Sequence, residues 1–228
     1  MAKRPPRRAA AGGGSEPKSN AASPRDAAID ALMALLAERR FGEIGLDDIA
    51  TRAGLSLSGL RAVFPGKMAI LAGFNERIDL AVLAGGPGEG DTERDRLFDV
   101  LMRRFEALGP HRAALKNLTR SAQLNPALAC ATAFASDRAM RWMLAAAGVR
   151  HAGLLGRIAK SGAGMVFAEA MATWLSDEDA NNEKTMAALD RALRRGERAM
   201  GYIRDACDFV TSFTRRGRRE SSGTEATI

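Results

Sequence analysis

Two histidines and two cysteines are all this chain offers of the residues that most often hold transition metals or run acid-base chemistry. His111 and His151 stand in no spacing that suggests a catalytic triad or a metal site, so solvated or structural roles are expected of both. Cys130 and Cys207 lie 77 positions apart without any Cys-x-x-Cys or Cys/His ligand pattern, and are expected as buried free thiols in a reducing compartment. No apolar run reaches the roughly 18 residues a membrane span requires. The basic opening is followed by AAAGGGSEPKSNAAS and not by an apolar stretch, so no signal peptide is read and a cytoplasmic location is expected. The stretch GGPGEG, residues 85–90, follows a helical pattern and lacks the Gly-Lys-Ser/Thr of a phosphate-binding loop. No enzyme, no cofactor and no metal centre is expected.

What is present is apolar helical periodicity and an uneven charge. With 228 residues and 46% hydrophobic content, the chain can bury a substantial core. Its formal charge of +7 resembles a nucleic-acid signature, but residues 1–25 contribute +5 and residues 215–228 contribute +2. The remainder sums to zero, and residues 26–83 carry six basic groups against eight acidic ones. Such a deficit is awkward for a surface that must lie on phosphates, because that binding draws most of its strength from cation release.

Residues 1–23 are too poor in large apolar groups to offset ordering entropy and are expected as a disordered basic tail, as are residues 211–228. Ser23-Pro24 and Asp26 make a helix start, with a capping hydroxyl, a proline at the first helical position and a carboxylate in the first turn. That helix runs to about Arg40 and presents Ile29, Leu32, Met33, Leu35 and Leu36. A domain over residues 24–84, a glycine-rich linker over 85–91 and a second domain over 92–210 are expected. In the second, Thr92 with Asp95 is a capping-box-like start. Helices are expected to about Leu108, over Arg112 to Leu124, over Ala127 to Ala147, over 149–160, over Met165 to Leu175 and over Glu183 to about Ile203, with the glycine-rich SGAG as a break. The acidic run Asp177, Glu178, Asp179 is expected to break or cap a helix at the surface. The fold class is all-α with about nine helices.

The most informative stretch is LDDIATRAGLSLSGLRAVFPGK, residues 46–67. Leu46, Ile49, Ala50 and Ala53 share one helical face. Gly54 sits where a helix ends in a left-handed residue, and Ser56 can cap the next helix. In that second helix Leu60 and Phe64 point inward, leaving Leu57, Ser58, Gly59, Arg61 and Ala62 outside. This is the spacing of a helix-turn-helix. From about residue 28 to 71 the pattern Phe41, Ile49, Ala50, Ala53, Gly54, Leu55, Ser56, Leu60, Phe64, Lys67 and Leu71 resembles, without gaps, the DNA-binding domain of the TetR family of bacterial transcriptional regulators.

The resemblance implies a three-helix helix-turn-helix head, a helical ligand-sensing and dimerisation domain, and a homodimer on a pseudo-palindromic operator in double-stranded DNA. It nominates Arg52, Ser56, Leu57, Ser58, Gly59, Arg61 and Lys67 as DNA contacts: Arg61 for guanine, Leu57 for a thymine methyl and Lys67 for phosphate. The chain departs from the family where Gly45 replaces a capping Ser or Thr, where Leu57 replaces a polar residue, and where Arg61, Ala62 and Val63 replace an aromatic-rich run. Either the basic arm assists DNA binding, or the fold is kept without it. In the body Phe98, Met102, Phe105, Phe134, Trp142 and Met143 are candidate walls for a small apolar effector of unknown identity. Met165, Ala168, Ala172, Leu175, Leu189 and Leu193 are candidate dimer contacts, since a helix apolar nearly all round must be covered on more than one side. Residues 173–195, TWLSDEDANNEKTMAALDRALRR, are also similar to a lipid-binding accessory family of ubiquinone biosynthesis that has the same fold, so a lipid carrier with a vestigial head is the alternative.

Overall fold

The computed structural model describes residues 23–150, 153–179 and 181–222, with side chains to residue 206. Among the described residues there is no strand. The described residues form nine α-helices in order: α1 Pro24–Glu38, α2 Leu46–Arg52, α3 Leu57–Val63, α4 Lys67–Ala84, α5 Glu93–Leu108, α6 Arg112–Gln123, α7 Pro126–Ala146, α8 Gly153–Trp174 and α9 Glu183–Ser222. Short 3-10 turns at Phe41–Glu43 and Gly109–His111 join α1 to α2 and α5 to α6. No helix among the described residues is long and apolar enough to cross a membrane.

The caps follow from the sequence. Ser23 Oγ accepts from the Asp26 amide at 3.1 Å. Thr92 and Asp95 complete a reciprocal capping box at the start of α5, with bonds of 3.1 and 3.3 Å. Asn125 Oδ1 holds the Leu128 amide at 3.1 Å, and Pro126 occupies the first position of α7.

α1 packs on α2, α3, α4 and α6, so it is the hub of the head. Its buried face is Ala28, Ile29, Ala31, Leu32, Met33, Leu35 and Leu36. The packing is close enough to demand a notch. A Cβ at Gly73 of α4 would lie 3.0 Å from the Phe64 ring and 3.3 Å from Ile29 Cδ1, so the glycine lets three helices meet. α4 continues into the body against α5 and α7. There Arg104, 2% exposed, is paired with Asp79 of α4, and its guanidinium lies 5.5 Å from the Phe167 ring centre. Phe105 stacks on Phe167 at 5.1 Å and tilts against Trp174 at 5.7 Å.

Several expectations change here. Residues 149–160 and 165–175 are not two helices: α8 runs unbroken through SGAG. A glycine inside a helix costs about 1 kcal/mol, and here the burial of Ala163, Val166, Phe167 and Ala170 against the body outweighs it. α9 is helical to Ser222, well past Ile203 and through most of the expected C-terminal tail. Cys130 is exposed rather than buried, because it lies on the outer face of α7; Cys207 and His151 lie outside the described side chains. Leu46, expected to face inward, is 42% exposed at the first turn of α2.

Asp177 is also not at the surface. It is 2% exposed and accepts from the Thr185 amide at 3.0 Å and the Thr185 hydroxyl at 2.8 Å, which ties the end of α8 to the start of α9. The Thr185 hydroxyl, followed by the amides of Thr185 and Asp179, holds this carboxyl below its ordinary range. Arg112 completes the corner. It donates to the Asp177 carbonyl and to Asn182 Oδ1 at 2.7 Å, and lies 4.4 Å from the Trp174 ring centre.

Candidate nucleic-acid interface

The helix-turn-helix is built as its residues dictate. α2 ends at Arg52, and Gly54 takes φ +67°, in the left-handed region where a Cβ would be strained. The Leu55 amide then bonds back to the Ala50 carbonyl at 2.9 Å. Ser56 Oγ accepts from the Gly59 amide at 3.0 Å and lies 2.9 Å from Ser58 Oγ, starting α3. Leu60 and Phe64 are buried at 3% and 4%. Leu57, Ser58, Arg61 and Ala62 are exposed and Gly59 half-buried, so the expected outward row of the second helix is presented to solvent. The Leu57 side chain is 57% exposed.

Gly45 has no hydroxyl to accept from the first amides of α2, so only the reverse half of a capping box forms. Asp48 accepts from the Gly45 amide at 2.8 Å, and this bond, ahead of the neighbouring Arg39 guanidinium, holds the Asp48 carboxyl below its usual range. The first turn of α2 thus bears two carboxylates, Asp47 and Asp48, where a phosphate would approach.

The head's cations divide into engaged and free. Lys67 is turned inward. Its ammonium donates to the Phe41 carbonyl at 3.1 Å and the Ile44 carbonyl at 2.5 Å, over the Phe41 ring at 4.7 Å. Partial burial pulls its pKa down, opposed by Asp48. In this conformation it closes the turn between α1 and α2 and is not aimed at a phosphate. Arg52 forms a two-pronged pair with Glu38, 3.0 Å on each arm. Arg39 pairs with Asp48 at 3.4 Å, Arg25 with Glu76 at 3.0 Å and Arg77 with Asp30 at 2.7 Å. Among the described residues the Arg61 side chain has no hydrogen bond or ion pair. Glu38 was missed by sequence reasoning because its partner is 14 positions away on another helix, at no helical spacing.

A seam joins this head to the body. The Phe41 amide donates to Ser121 Oγ at 3.1 Å, and Asn117 Nδ2 donates to the Leu36 and Ala37 carbonyls at 3.0 and 3.2 Å. His111 stands edge-on to Phe74 at 4.9 Å; burial, then the nearby Arg77, lowers its pKa.

In the body the six proposed pocket walls do not surround one space. Phe105 and Met143 are fully buried, Phe98 and Met102 half-buried, and Phe134 and Trp142 are 74% and 53% exposed on the outer face of α7. Sequence reasoning chose them for size and could not see that α7 buries Leu128, Ala139, Met140 and Met143 and packs Leu144 and Ala146 against the core instead. An open cleft lies instead where α1 meets α6, lined by Met33, Ala34, Ala37, Pro110, Ala113 and Ala114 with the polar Asp30 and His111. The proposed dimer residues also split. Leu189 and Leu193 are buried at 0% and 5% between α9 and α8 of the same chain, so they are core. Leu175 is half-buried, whereas Met165, Ala168 and Ala172 form an exposed row along α8.

No family model matches the chain, and no curated protein does. Solved structures do. A TetR transcriptional regulator from Nitrosomonas europaea ATCC 19718 is similar at 22% identity and a TM-score of 0.61, over 76% of this chain and 97% of that one. A TetR transcriptional regulator from Rhodococcus sp. RHA1 gives 21%, 0.56, 76% and 95%. A putative TetR-family transcriptional regulator from Rhodococcus sp. gives 23%, 0.54, 76% and 98%. At such identities the likeness is one of fold: helix-turn-helix head and helical body have the same arrangement.

Proposed function

We propose that this chain, which has the fold of the TetR-family regulators, is a DNA-binding transcriptional regulator that works as a homodimer. The observation that carries the reading is the exposed row Leu57, Ser58, Arg61 and Ala62 on a properly capped α3, with the Arg61 guanidinium uncommitted. Each head places α3 in a major groove, with Arg61 reading guanine and Leu57 a thymine methyl. The head's other cations are largely engaged, so the basic residues 1–22 supply much of the phosphate attraction. Repression is relieved by a small apolar effector that shifts the head relative to the body at the α1/α6 seam, by a change in population between two arrangements. The row Met165, Ala168 and Ala172 of α8, open in the single chain, supports pairing of two copies along that helix.

The test is fluorescence anisotropy on the chain's own upstream DNA and on a scrambled fragment, over a salt series, with and without residues 1–22. Preference for the upstream fragment, with affinity falling steeply in salt and the slope shallower without the arm, is the expected result. Equal weak binding to both fragments that vanishes with the arm defeats the regulator reading. Lipid co-purifying with the protein would then favour the carrier alternative.

A further inference from the structure

The body carries a cationic surface that DNA reading by the head does not use. Between Glu106 and Glu169 the chain has eight Lys and Arg and a single carboxylate, Asp137, a local surplus that acidic groups elsewhere in residues 26–214 offset; of the eight, Arg112 is engaged in the α8/α9 corner. Asp137 is already held by Lys160 at 2.8 Å across α7 and α8. α7 itself carries no Glu, Asn or Gln. On its outer face Phe134, Arg138 and Trp142 stand at i, i+4 and i+8 with Arg141 alongside, a row of about 12 Å. Phe134 is 74% and Trp142 53% exposed. Arg138 and Arg141 are exposed and, among the described residues, have no hydrogen bond or ion pair.

Large exposed aromatics interleaved with uncommitted arginines mark an interaction surface. A second copy laid on this row would bring like charge against like charge. A basic peptide would find no free carboxylate on the row, since Asp137 is held by Lys160, and an acidic chain is separated from a lipid surface by brominated-lipid quenching. An anionic lipid surface asks for no carboxylate: it attracts arginine by charge, and Trp and Phe settle at its headgroup boundary. We propose that α7 docks the protein peripherally on an anionic bilayer, with Phe134 and Trp142 entering the headgroup layer and Arg138 and Arg141 against lipid phosphates. The docking is independent of whether the head reads DNA.

Trp142 and Trp174 are the two tryptophans of the chain, and Trp174 is fully buried, so emission changes on binding report Trp142. The full chain is titrated with vesicles of phosphatidylcholine alone, of phosphatidylcholine with phosphatidylglycerol, and of the same mixture with brominated acyl chains. A blue shift confined to the anionic vesicles, quenched by the brominated lipid, is expected. Arg138→Gln with Arg141→Gln should weaken partitioning about twenty-five-fold, at about fivefold for each cation, with helicity unchanged because both side chains are exposed. Anionic vesicles that bind the protein without moving Trp142 emission would assign the binding to the basic arm and overturn the proposal. So would undiminished partitioning of the double variant, or a blue shift reproduced by polyglutamate without brominated-lipid quenching, which would make the partner an acidic chain.

Discussion

At the scale of single residues, the head separates cations that hold the fold together from two, Arg40 and Arg61, whose side chains have no hydrogen bond or ion pair among the described residues. Of these, Arg61 is the one on α3. Lys67 and Arg52 matched a DNA-contact pattern in sequence, yet each has an intramolecular partner in the head: the Phe41 and Ile44 carbonyls for Lys67, Glu38 for Arg52. Arg61 has none among the described residues, so Arg61→Ala should leave the melting temperature unchanged. It should weaken binding to the preferred DNA by about 1–3 kcal/mol and relax preference at one base pair, which anisotropy on single-base variants of the site will read. His111 gives the second prediction at this scale. Its folded pKa is below the ordinary 6.5, so the neutral form is the one the seam between head and body favours. For a base shifted down, stability is full above the ordinary value and is lost as pH falls below it towards the folded pKa. Thermal unfolding should therefore show a loss of stability on acidification below about 6.5 that His111→Gln diminishes.

At the scale of elements, α4 is the part on which head and body both depend. It lends Gly73 to the packing of Phe64 and Ile29 at one end and Asp79 to the buried Arg104 at the other. Removing one member of a buried ion pair leaves the other charge without compensation. Asp79→Ala should thus destabilise the chain by roughly 3–5 kcal/mol in urea unfolding, and Asp79→Ala with Arg104→Met should recover much of it. Recovery by the double variant distinguishes an uncompensated charge from a simple packing defect. The α8/α9 corner has the same logic in miniature, since Asp177 is buried with its bonds supplied by Thr185 and its charge favoured by them.

At the scale of the whole molecule, one face of α8 and one face of α7 are left uncovered by the described residues. The Met165, Ala168, Ala172 row suits a second copy because its side chains are small or flexible and let helices approach. Ala168→Arg should leave the single chain folded, as the site is exposed, but shift sedimentation equilibrium towards monomer and lower operator affinity with it. An unchanged dimer would place the interface elsewhere. The α7 row is of the opposite kind, charged as well as apolar, and so is assigned to an anionic surface and not to self-association.

The local physics of the sequence determined much of this protein. Hydroxyl caps at Ser23, Ser56 and Thr92, the left-handed Gly54, and the inward pairs of α3 are short-range effects, and the helix-turn-helix was legible from them alone. Periodicity likewise gave the helical body and its order. What periodicity cannot say is which neighbour covers a helix, because that depends on residues far apart in the chain. Tertiary packing alone decided that SGAG stays helical, that Leu189 and Leu193 are core, that Phe134 and Trp142 face outward, and that Asp177 is buried. It also decided which of the head's cations remain free, since an ion pair such as Arg52 with Glu38 is formed by the crossing of two helices and leaves no spacing in the sequence to be read.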